Sequence, residues 1–239
     1  MLDISLSIVI PVFNKSAFTK SCLKDLSSIP ADHQIIVVDN GSTDDTQQFC
    51  QSFSTLATID YIRNQQNLGF AKACNIGYQA AVGRNVMFLN NDIRVKSDHA
   101  TWTQPIIAAC LEGGLVGPTM GQLDDQLNFV REANAVLTGR SYMSGWCLSA
   151  SKETWKQLEI ARVEGAVERY PQLFSEDFFC YYEDTDISFR AREKKIPLNV
   201  INIPVVHFGK QTSKQLNTYD LYKKAKSIFV KKWAQHIKN

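Results

Sequence analysis

The chain has 239 residues, of which 44% are hydrophobic and 21% charged, so it can form one large α/β domain or two small ones. Its net charge of +2 is too small to indicate nucleic-acid binding, and we expect no nucleic-acid partner. No apolar run approaches the roughly 18–20 residues of a membrane-spanning helix, so none is predicted.

The first part of the chain predicts strands that alternate with helices at short spacing. Apolar runs predict strands at 6–12, 34–38, 59–63 and 85–89, and helices at 16–26, from the loop 39–44 to about 53, and at 70–81. Ser42 or Thr43 is expected to cap the second helix. This alternation is typical of a parallel sheet covered by helices. The segment PVFNKSA stands where a dinucleotide fold has GxGxxG, which disfavours an NAD-binding fold.

The second part of the chain is less regular. Strands are predicted at 115–118, 143–150, 198–203 and 205–207, and helices at 99–111, 152–158, 185–194 and 219–238. Pro105 is unfavourable inside the first of these helices. Segment 121–140 has no clear period and is interpreted as a loop over a site or a β-excursion. Segment 161–176 is polar and is interpreted as a lid.

The six cysteines and the first residues indicate a reducing compartment. No two cysteines form a CxxC pair, so neither a zinc site nor a redox pair is indicated, and buried thiols are expected. Residues 1–7 contain Asp3 and no basic residue, which is unlike the start of a secretory signal. These features predict a cytoplasmic protein.

Acidic residues stand at the ends of predicted strands or the starts of helices. They are Asp39, Asp44, Asp92 and the pair Glu183 and Asp184. The first three should meet at one rim of a parallel sheet, where open α/β sheets bind ligands. Carboxylates that share a rim repel one another unless a cation joins them, and oxygen ligands favour Mg²⁺ or Mn²⁺. A helix cap or a helix-dipole contact explains Asp44 or Asp184 taken singly, and residues 90–92 also suit a simple turn.

Six segments in order resemble glycosyltransferase family 2, and within it the bacterial rhamnosyltransferase-like polysaccharide transferases. They are LSIVIPVFNK, IIVVDNGSTDDT, NLGFAKACNIG, FLNND, FFCYYEDTDISFRAREKKIPL and VVHFGKQT. The resemblance covers roughly residues 5–213. Each segment alone is a weak signal, whereas six in register are highly specific.

The resemblance implies an α/β chain with the GT-A fold. A Rossmann-like, mostly parallel central sheet would be flanked by helices and joined to a smaller mixed sheet on the acceptor side. A single domain would contain a nucleotide-sugar-binding half at about 1–95, an acceptor-binding and catalytic half at about 96–215, and an amphipathic helix at 216–239.

The resemblance also assigns roles to individual residues. The nucleotide would be bound by Pro11, Phe13, Asp39, Asn67, Lys72 and Asn91. Asp39 would contact the nucleobase, and Pro11 and Phe13 would line its pocket. Asp92 and His207 would hold Mg²⁺ or Mn²⁺, and Asp184 of the Glu183–Asp184 pair would be the catalytic base. Trp146 and Tyr182 would contact the acceptor, although core packing also explains both side chains, and a core position also explains His207.

The implied reaction is inverting transfer of a sugar from a nucleotide diphosphate to a hydroxyl of a glycan acceptor in bacterial surface polysaccharide synthesis. The chemistry agrees, because a divalent cation stabilises the leaving diphosphate and a carboxylate can take the proton of the attacking hydroxyl. The family's DxD motif reads Asn90-Asn91-Asp92 here, and the loss of a carboxylate should weaken metal affinity. Two interpretations of Lys210 stay open: a source of positive charge for the diphosphate, or a solvated side chain.

The terminal helix is amphipathic. Its apolar face carries Tyr222, Ala225, Phe229, Trp233 and Ile237, and its basic residues are Lys223, Lys224, Lys231 and Lys238. Docking on the body of the protein explains this pattern. So does peripheral attachment to the anionic inner face of the cell membrane, where a lipid-linked acceptor would be found.

Two other functions stay open at this point. A sugar-1-phosphate nucleotidyltransferase uses a similar nucleotide-binding half, but it is expected to carry a glycine-rich, basic loop after the first strand, and PVFNKSAF has no glycine and a single lysine. A non-catalytic nucleotide- or glycan-binding module would be consistent with the depleted DxD motif.

Overall fold

The computed structural model describes residues 3–96, 100–160, 171–209 and 218–237. As predicted, strands and helices alternate up to residue 89. These elements are β1 (Leu6–Val12), α1 (Ser16–Asp25), β2 (His33–Asp39), α2 (Thr46–Ser52), β3 (Thr58–Arg63), α3 (Phe70–Ala80) and β4 (Asn85–Leu89).

Short strands dominate the chain after β4. The elements are β5 (Ile93–Val95), α4 (Gln104–Leu111), β6 (Leu115–Gly117), β7 (Met120–Leu123), β8 (Phe129–Ala133), β9 (Ser141–Met143), β10 (Cys147–Ser151), α5 (Lys152–Leu158), α6 (Glu183–Glu193), β11 (Leu198–Val200), β12 (Val205–His207) and α7 (Thr218–Ile237). Of the two interpretations of segment 121–140, the structure therefore supports the β-excursion.

Seven strands form the central sheet in the order β11-β6-β10-β4-β1-β2-β3. Among the strands within the described residues, β10 alone runs antiparallel to its neighbours in this sheet, β4 and β6. Helices cover both faces, so the strand β1 is buried on both sides. Ile8 and Ile10 pack into the core cluster that contains residues of α1, α2 and α4, whereas Val9 packs into the cluster that contains residues of α3, α5 and α6.

Two small antiparallel sheets replace the single mixed sheet that was expected on the acceptor side. One is the three-stranded sheet β8-β7-β9, and the other pairs β5 with β12. In the second, His207 pairs with Ile93, the residue that follows Asp92. Strand pairing therefore brings together two residues that are far apart in the sequence.

The expected cap of α2 by Ser42 or Thr43 is wrong. The helix begins later, at Thr46, and the Ser42 hydroxyl instead accepts a hydrogen bond from the backbone N–H of Asn14 at 2.8 Å. The carboxylate of Asp44 accepts one from the N–H of Thr46 at 3.1 Å. Asp44 thus stabilises the start of this helix, which agrees with its interpretation as a helix cap.

Helix α4 is shorter than predicted because Pro105 lies in its first turn. Proline is tolerated there, since the first N–H groups of a helix have no partner within the helix. His99, where this helix was predicted to begin, lies outside the described residues, as do residues 161–170 of the predicted lid, Lys210 and Lys238.

The apolar face of α7 is docked on the protein. Ala225, Phe229 and Trp233 are buried in a cluster with Phe178 and Tyr182. The lysines predicted for the other face, among the described residues, are exposed: Lys223, Lys224 and Lys231. None of the helices within the described residues is long and apolar enough to cross a bilayer.

Candidate active site

A cavity of about 710 Å³ opens beyond the carboxyl ends of β1 and β4. Its position agrees with the general location of ligand sites in open α/β sheets. Ten side chains that the sequence assigned to a site line it: Pro11, Phe13, Asn67, Asn91, Asp92, Trp146, Tyr182, Glu183, Asp184 and His207. Asp39, Asp44 and Lys72 are not part of this lining.

Asp39 is fully buried behind the cavity wall. One carboxylate oxygen accepts a hydrogen bond from the N–H of Ser42 at 2.8 Å. The other accepts from the Arg63 guanidinium at 2.7 Å and from the Tyr61 hydroxyl. Because Asp39 has no exposed surface and does not line the cavity, a nucleobase could reach it only after a local rearrangement, and the nucleobase contact stays a prediction.

Lys72 forms an ion pair and does not line the cavity. Its ammonium group forms an ion pair with Glu176 at 3.0 Å. In this arrangement its charge is directed to Glu176 and its side chain does not line the cavity. The predicted nucleotide contact of Lys72 would therefore require a different rotamer.

One end of the cavity is built from loops that follow β1 and β3. Pro11 is the last but one residue of β1, and Phe13 directly follows the strand. The Asn67 side chain accepts a hydrogen bond from the N–H of Gly69 at 3.0 Å, just before α3 begins. This contact fixes the loop that leads into the helix.

Asp92 and His207 face each other in the cavity. The distance between Asp92 Oδ1 and His207 Nε2 is 3.0 Å, and the N–H of Phe208 donates to the Asp92 carbonyl at 2.9 Å. Asn91, next in the chain, donates to the hydroxyl of Thr19 on α1 at 2.9 Å. The turn after β4 is therefore held by α1 on one side and β12 on the other.

The distance between Asp92 and His207 is that of a direct hydrogen bond, and it also fits two ligands of one divalent cation. Adjacent ligands of an octahedral ion at about 2.0–2.1 Å lie roughly 3 Å from each other. No cluster of three or more His, Cys, Asp or Glu side chains suited to a metal occurs in the parts of the chain that the structure describes. A cation here would therefore need oxygen ligands from substrate phosphate or water, which is common for Mg²⁺.

Trp146 is packed against His207. The rings are stacked, with centroids 4.8 Å apart and planes at 11°. The indole N–H donates to Thr119 Oγ1 at 2.8 Å and to Glu132 Oε1 at 3.0 Å. Trp146 is only 7% exposed, so it lines the cavity with a small part of its surface.

The Glu183–Asp184 pair begins α6 after a strained turn. Tyr181 and Tyr182 both have left-handed backbone conformations, with φ of 74° and 66°. Such conformations cost about 1–3 kcal/mol each for non-glycine residues and concentrate at functional sites. The Tyr182 hydroxyl is bonded to the Leu127 carbonyl at 2.5 Å, which helps to hold the turn in place.

The Asp184 carboxylate is fixed by three donors. Oδ2 accepts from the N–H of Gly145 at 2.9 Å, and Oδ1 accepts from the N–H of Thr185 at 2.7 Å and from its hydroxyl at 3.2 Å. Burial raises the pKa of Asp184, the donors from Gly145 and Thr185 oppose this, and the charge of Glu132 adds to the rise. The net direction is upwards, towards the range in which a general base is effective.

Glu183 has a different environment. Its Oε2 is buried and has no hydrogen-bond partner among the described residues. Burial and the neighbouring charge of Asp184 raise the pKa of Glu183. The pair therefore consists of one hydrogen-bonded carboxylate and one that burial keeps in its protonated form over a wider pH range.

Several lining residues were not found from the sequence. Glu132 lies on β8, in a segment without clear period, and Tyr222 was assigned only to the apolar face of α7. The Tyr182 and Tyr222 hydroxyls lie 2.9 Å apart, which joins α7 to the start of α6. The only available signal for Gly145 was its position next to Trp146.

The cavity is acidic. Its described lining contains four carboxylates and neither lysine nor arginine, and the carboxylates are Asp92, Glu132, Glu183 and Asp184. A diphosphate would be repelled by this charge unless a cation accompanied it. The acidic lining and the distance between Asp92 and His207 are therefore both consistent with a bound cation.

Comparison with known proteins shows a family match in the first part of the chain. Residues 7–115 match the model named glycosyl transferase family 2. A relative named glycosyltransferase GlyA, from Streptococcus pneumoniae, is 27% identical over 100 residues, which is 41% of this chain and 14% of that protein. This match confirms the resemblance seen in the sequence, whereas the rhamnosyltransferase-like branch stays a prediction.

Solved structures confirm the GT-A fold. TarS residues 1–349 from S. aureus superpose with a TM-score of 0.59 at 15% identity, covering 89% of this chain and 63% of that one. The mannosyltransferase PcManGT from Pyrobaculum calidifontis, in complex with GDP-Man and Mn²⁺, gives 0.57 at 14% identity, covering 83% and 55%. This chain therefore spans less than two thirds of each of these proteins.

Proposed function

We propose that this family 2 chain is a glycosyltransferase that moves a sugar from a nucleotide diphosphate to a hydroxyl of a glycan acceptor. The observation that carries the proposal is that one cavity is lined both by the Asp92–His207 pair and by the hydrogen-bonded carboxylate of Asp184. A cation-binding pair and a separate base are the two parts that such a transfer requires.

Asp184 is the proposed base. Its carboxylate is oriented by Gly145 and Thr185, and its raised pKa makes it a better proton acceptor than an exposed aspartate. It would take the proton of the acceptor hydroxyl as that oxygen attacks the sugar. Glu183, kept largely protonated by burial, would leave Asp184 as the charged member of the pair.

Asp92 and His207 are the proposed protein ligands of Mg²⁺ or Mn²⁺. When bound, the cation stabilises the negative charge on the leaving diphosphate. An imidazole ligand favours Mn²⁺ over Mg²⁺, which prefers oxygen. The structural relative PcManGT, which was solved with GDP-Man and Mn²⁺, agrees with this choice of ion and donor class.

The other parts of the proposal follow from the family resemblance. Transfer would invert the anomeric centre, since a single base suffices for direct displacement and double displacement needs a nucleophile on the opposite face. The acceptor would be a bacterial surface polysaccharide, reached from the cytoplasm. Peripheral membrane contact would use the exposed lysines of α7, because its apolar face is buried.

A thermal-shift panel tests the donor site. UDP, GDP and dTDP are each added with and without Mn²⁺ or Mg²⁺, and a ligand specific for the folded state raises the melting temperature. We expect one nucleotide to raise the melting temperature only when the cation is present. In His207→Gln, we expect this increase either to disappear or to become independent of the cation. Absence of any shift with all three nucleotides contradicts the donor site.

Transfer itself is tested next with sugars of the nucleotide that binds. We expect release of the nucleoside diphosphate and a product whose anomeric configuration, read by NMR, is inverted. Pyrophosphate released from a nucleoside triphosphate would favour the nucleotidyltransferase. Binding without turnover on any acceptor would favour the non-catalytic module.

A further inference from the structure

Trp146 lies where the two functional parts of the cavity meet. Its carbonyl accepts a hydrogen bond from the N–H of Asn90 at 2.8 Å, at the end of β4 and close to Asp92. The N–H of the preceding residue, Gly145, donates to Asp184. The backbone at Trp146 therefore joins the strand end that carries the cation pair to the helix start that carries the base.

The indole ring itself has little surface left for a sugar. One face is stacked on His207, its N–H is donated to Thr119 and Glu132, and only 7% of the residue is exposed. An aromatic platform for a sugar needs a face that is open to the cavity. In Trp146, one face of the ring is instead covered by the imidazole of His207.

The ring plane of His207 needs such a neighbour. Strand pairing between β12 and β5 fixes the backbone of His207, but the torsion that sets an imidazole plane is broad and is not determined by the backbone. For both groups to reach one ion, Nε2 must stay on the side of the ring that faces Asp92, where it lies 3.0 Å from Asp92 Oδ1 and 3.3 Å from the side-chain nitrogen of Asn90. The stacked indole restricts rotation of the ring in this direction.

We propose that Trp146 is a positioning residue that holds the His207 imidazole in the plane in which Nε2 and Asp92 can share one divalent cation. Thr119 and Glu132 hold the indole in turn through its N–H. This inference rests on the proposed function, in which Asp92 and His207 bind the cation. Groups that orient a metal ligand typically change metal affinity about 10–100-fold when they are removed.

The test compares Trp146→Leu, which removes the stacked ring, with Trp146→Phe, which keeps an aromatic face. Mn²⁺ is titrated calorimetrically into the protein saturated with the nucleoside diphosphate selected by the thermal-shift panel. We expect Trp146→Leu to weaken Mn²⁺ binding at least tenfold and Trp146→Phe to stay within about threefold of the wild type. Phe53→Leu, which changes an aromatic residue that packs against Phe49 and does not line the cavity, should leave Mn²⁺ affinity unchanged.

NMR of the metal-free protein gives a second measurement that does not depend on turnover. The His207 ring protons, assigned by comparison with His207→Gln, lie over the indole and should move downfield in Trp146→Leu. If Trp146→Leu does not fold, Thr119→Val, which removes one acceptor of the indole N–H, should still weaken Mn²⁺ binding severalfold.

Three results would overturn the inference in distinguishable ways. Unmoved His207 ring signals in Trp146→Leu would contradict the contact. Wild-type Mn²⁺ affinity in Trp146→Leu, together with a raised KM for the acceptor, would assign Trp146 to the acceptor. A wild-type protein that binds nucleotide with no need for a cation would contradict the proposed cation site as well as the inference.

Discussion

Replacing Asp184 with asparagine removes the proposed base with little change in shape. The two carboxylate oxygens accept from the N–H groups of Gly145 and Thr185, so either orientation of the new amide turns its NH₂ group towards a backbone N–H. A buried donor left without an acceptor costs about 1–3 kcal/mol. Part of this is offset because burial already disfavours the charged carboxylate. Each kcal/mol lost should lower the melting temperature by about 2–4 °C for a chain of this size.

The expected effect on the rate is much larger. Loss of a general base lowers kcat by about 10²–10⁴-fold, whereas donor affinity should be unchanged because Asp92 and His207 are intact. Release of nucleoside diphosphate is measured well below the melting temperature of both proteins, and donor binding is measured by calorimetry. Asp125→Asn, at an exposed carboxylate, is the matched control and should keep wild-type kcat. Near-normal turnover by Asp184→Asn would refute the assignment of the base.

Four further predictions concern the same helix. Glu183→Gln should keep kcat within about threefold at neutral pH, because the amide resembles the protonated acid; a loss as large as that of Asp184→Asn would contradict this. Because the pKa of Glu183 is raised in the folded state, its contribution to stability is present at low pH and is lost as the pH rises through that pKa. The melting temperature of Glu183→Gln should therefore increase relative to that of the wild type between mildly acidic and mildly alkaline pH. The raised pKa of Asp184 should place the acid limb of the pH–rate profile above that of an exposed aspartate at about 4, and a limb at or below 4 would exclude Asp184 as the base. Asp186→Asn should lower the free energy of unfolding by about 3–5 kcal/mol in urea, because the buried Arg190 loses its carboxylate partner.

The strands that lead to the site could be predicted from the sequence almost to the residue. β1 and β4 have the predicted bounds because they are apolar at consecutive positions, which requires burial on both faces. The polar residues that follow β4 could be placed at the ligand-binding rim for the same reason. The order of motifs then sufficed to indicate family 2.

The partners of individual side chains could not be predicted in this way. Asp39 ends β2 as expected, but its carboxylate is taken up by Tyr61 and Arg63, which the pairing of β2 with β3 brings alongside. Glu132 reaches the cavity because a hairpin forms in a segment without clear period. Such contacts depend on strand register and rotamers, which a local pattern does not contain.

The sequence by itself determined the alternating strands and helices, the rim on which Asp92 lies, and the motif that carries Asp184. Local apolar runs and turn residues are sufficient for these features, since they depend on neighbours in the chain. Only the tertiary structure placed His207 within 3.0 Å of Asp92, stacked Trp146 on its ring, and bonded Gly145 to Asp184. These pairs are separated by long stretches of chain, so the packing of the sheets and α6 decides whether they meet.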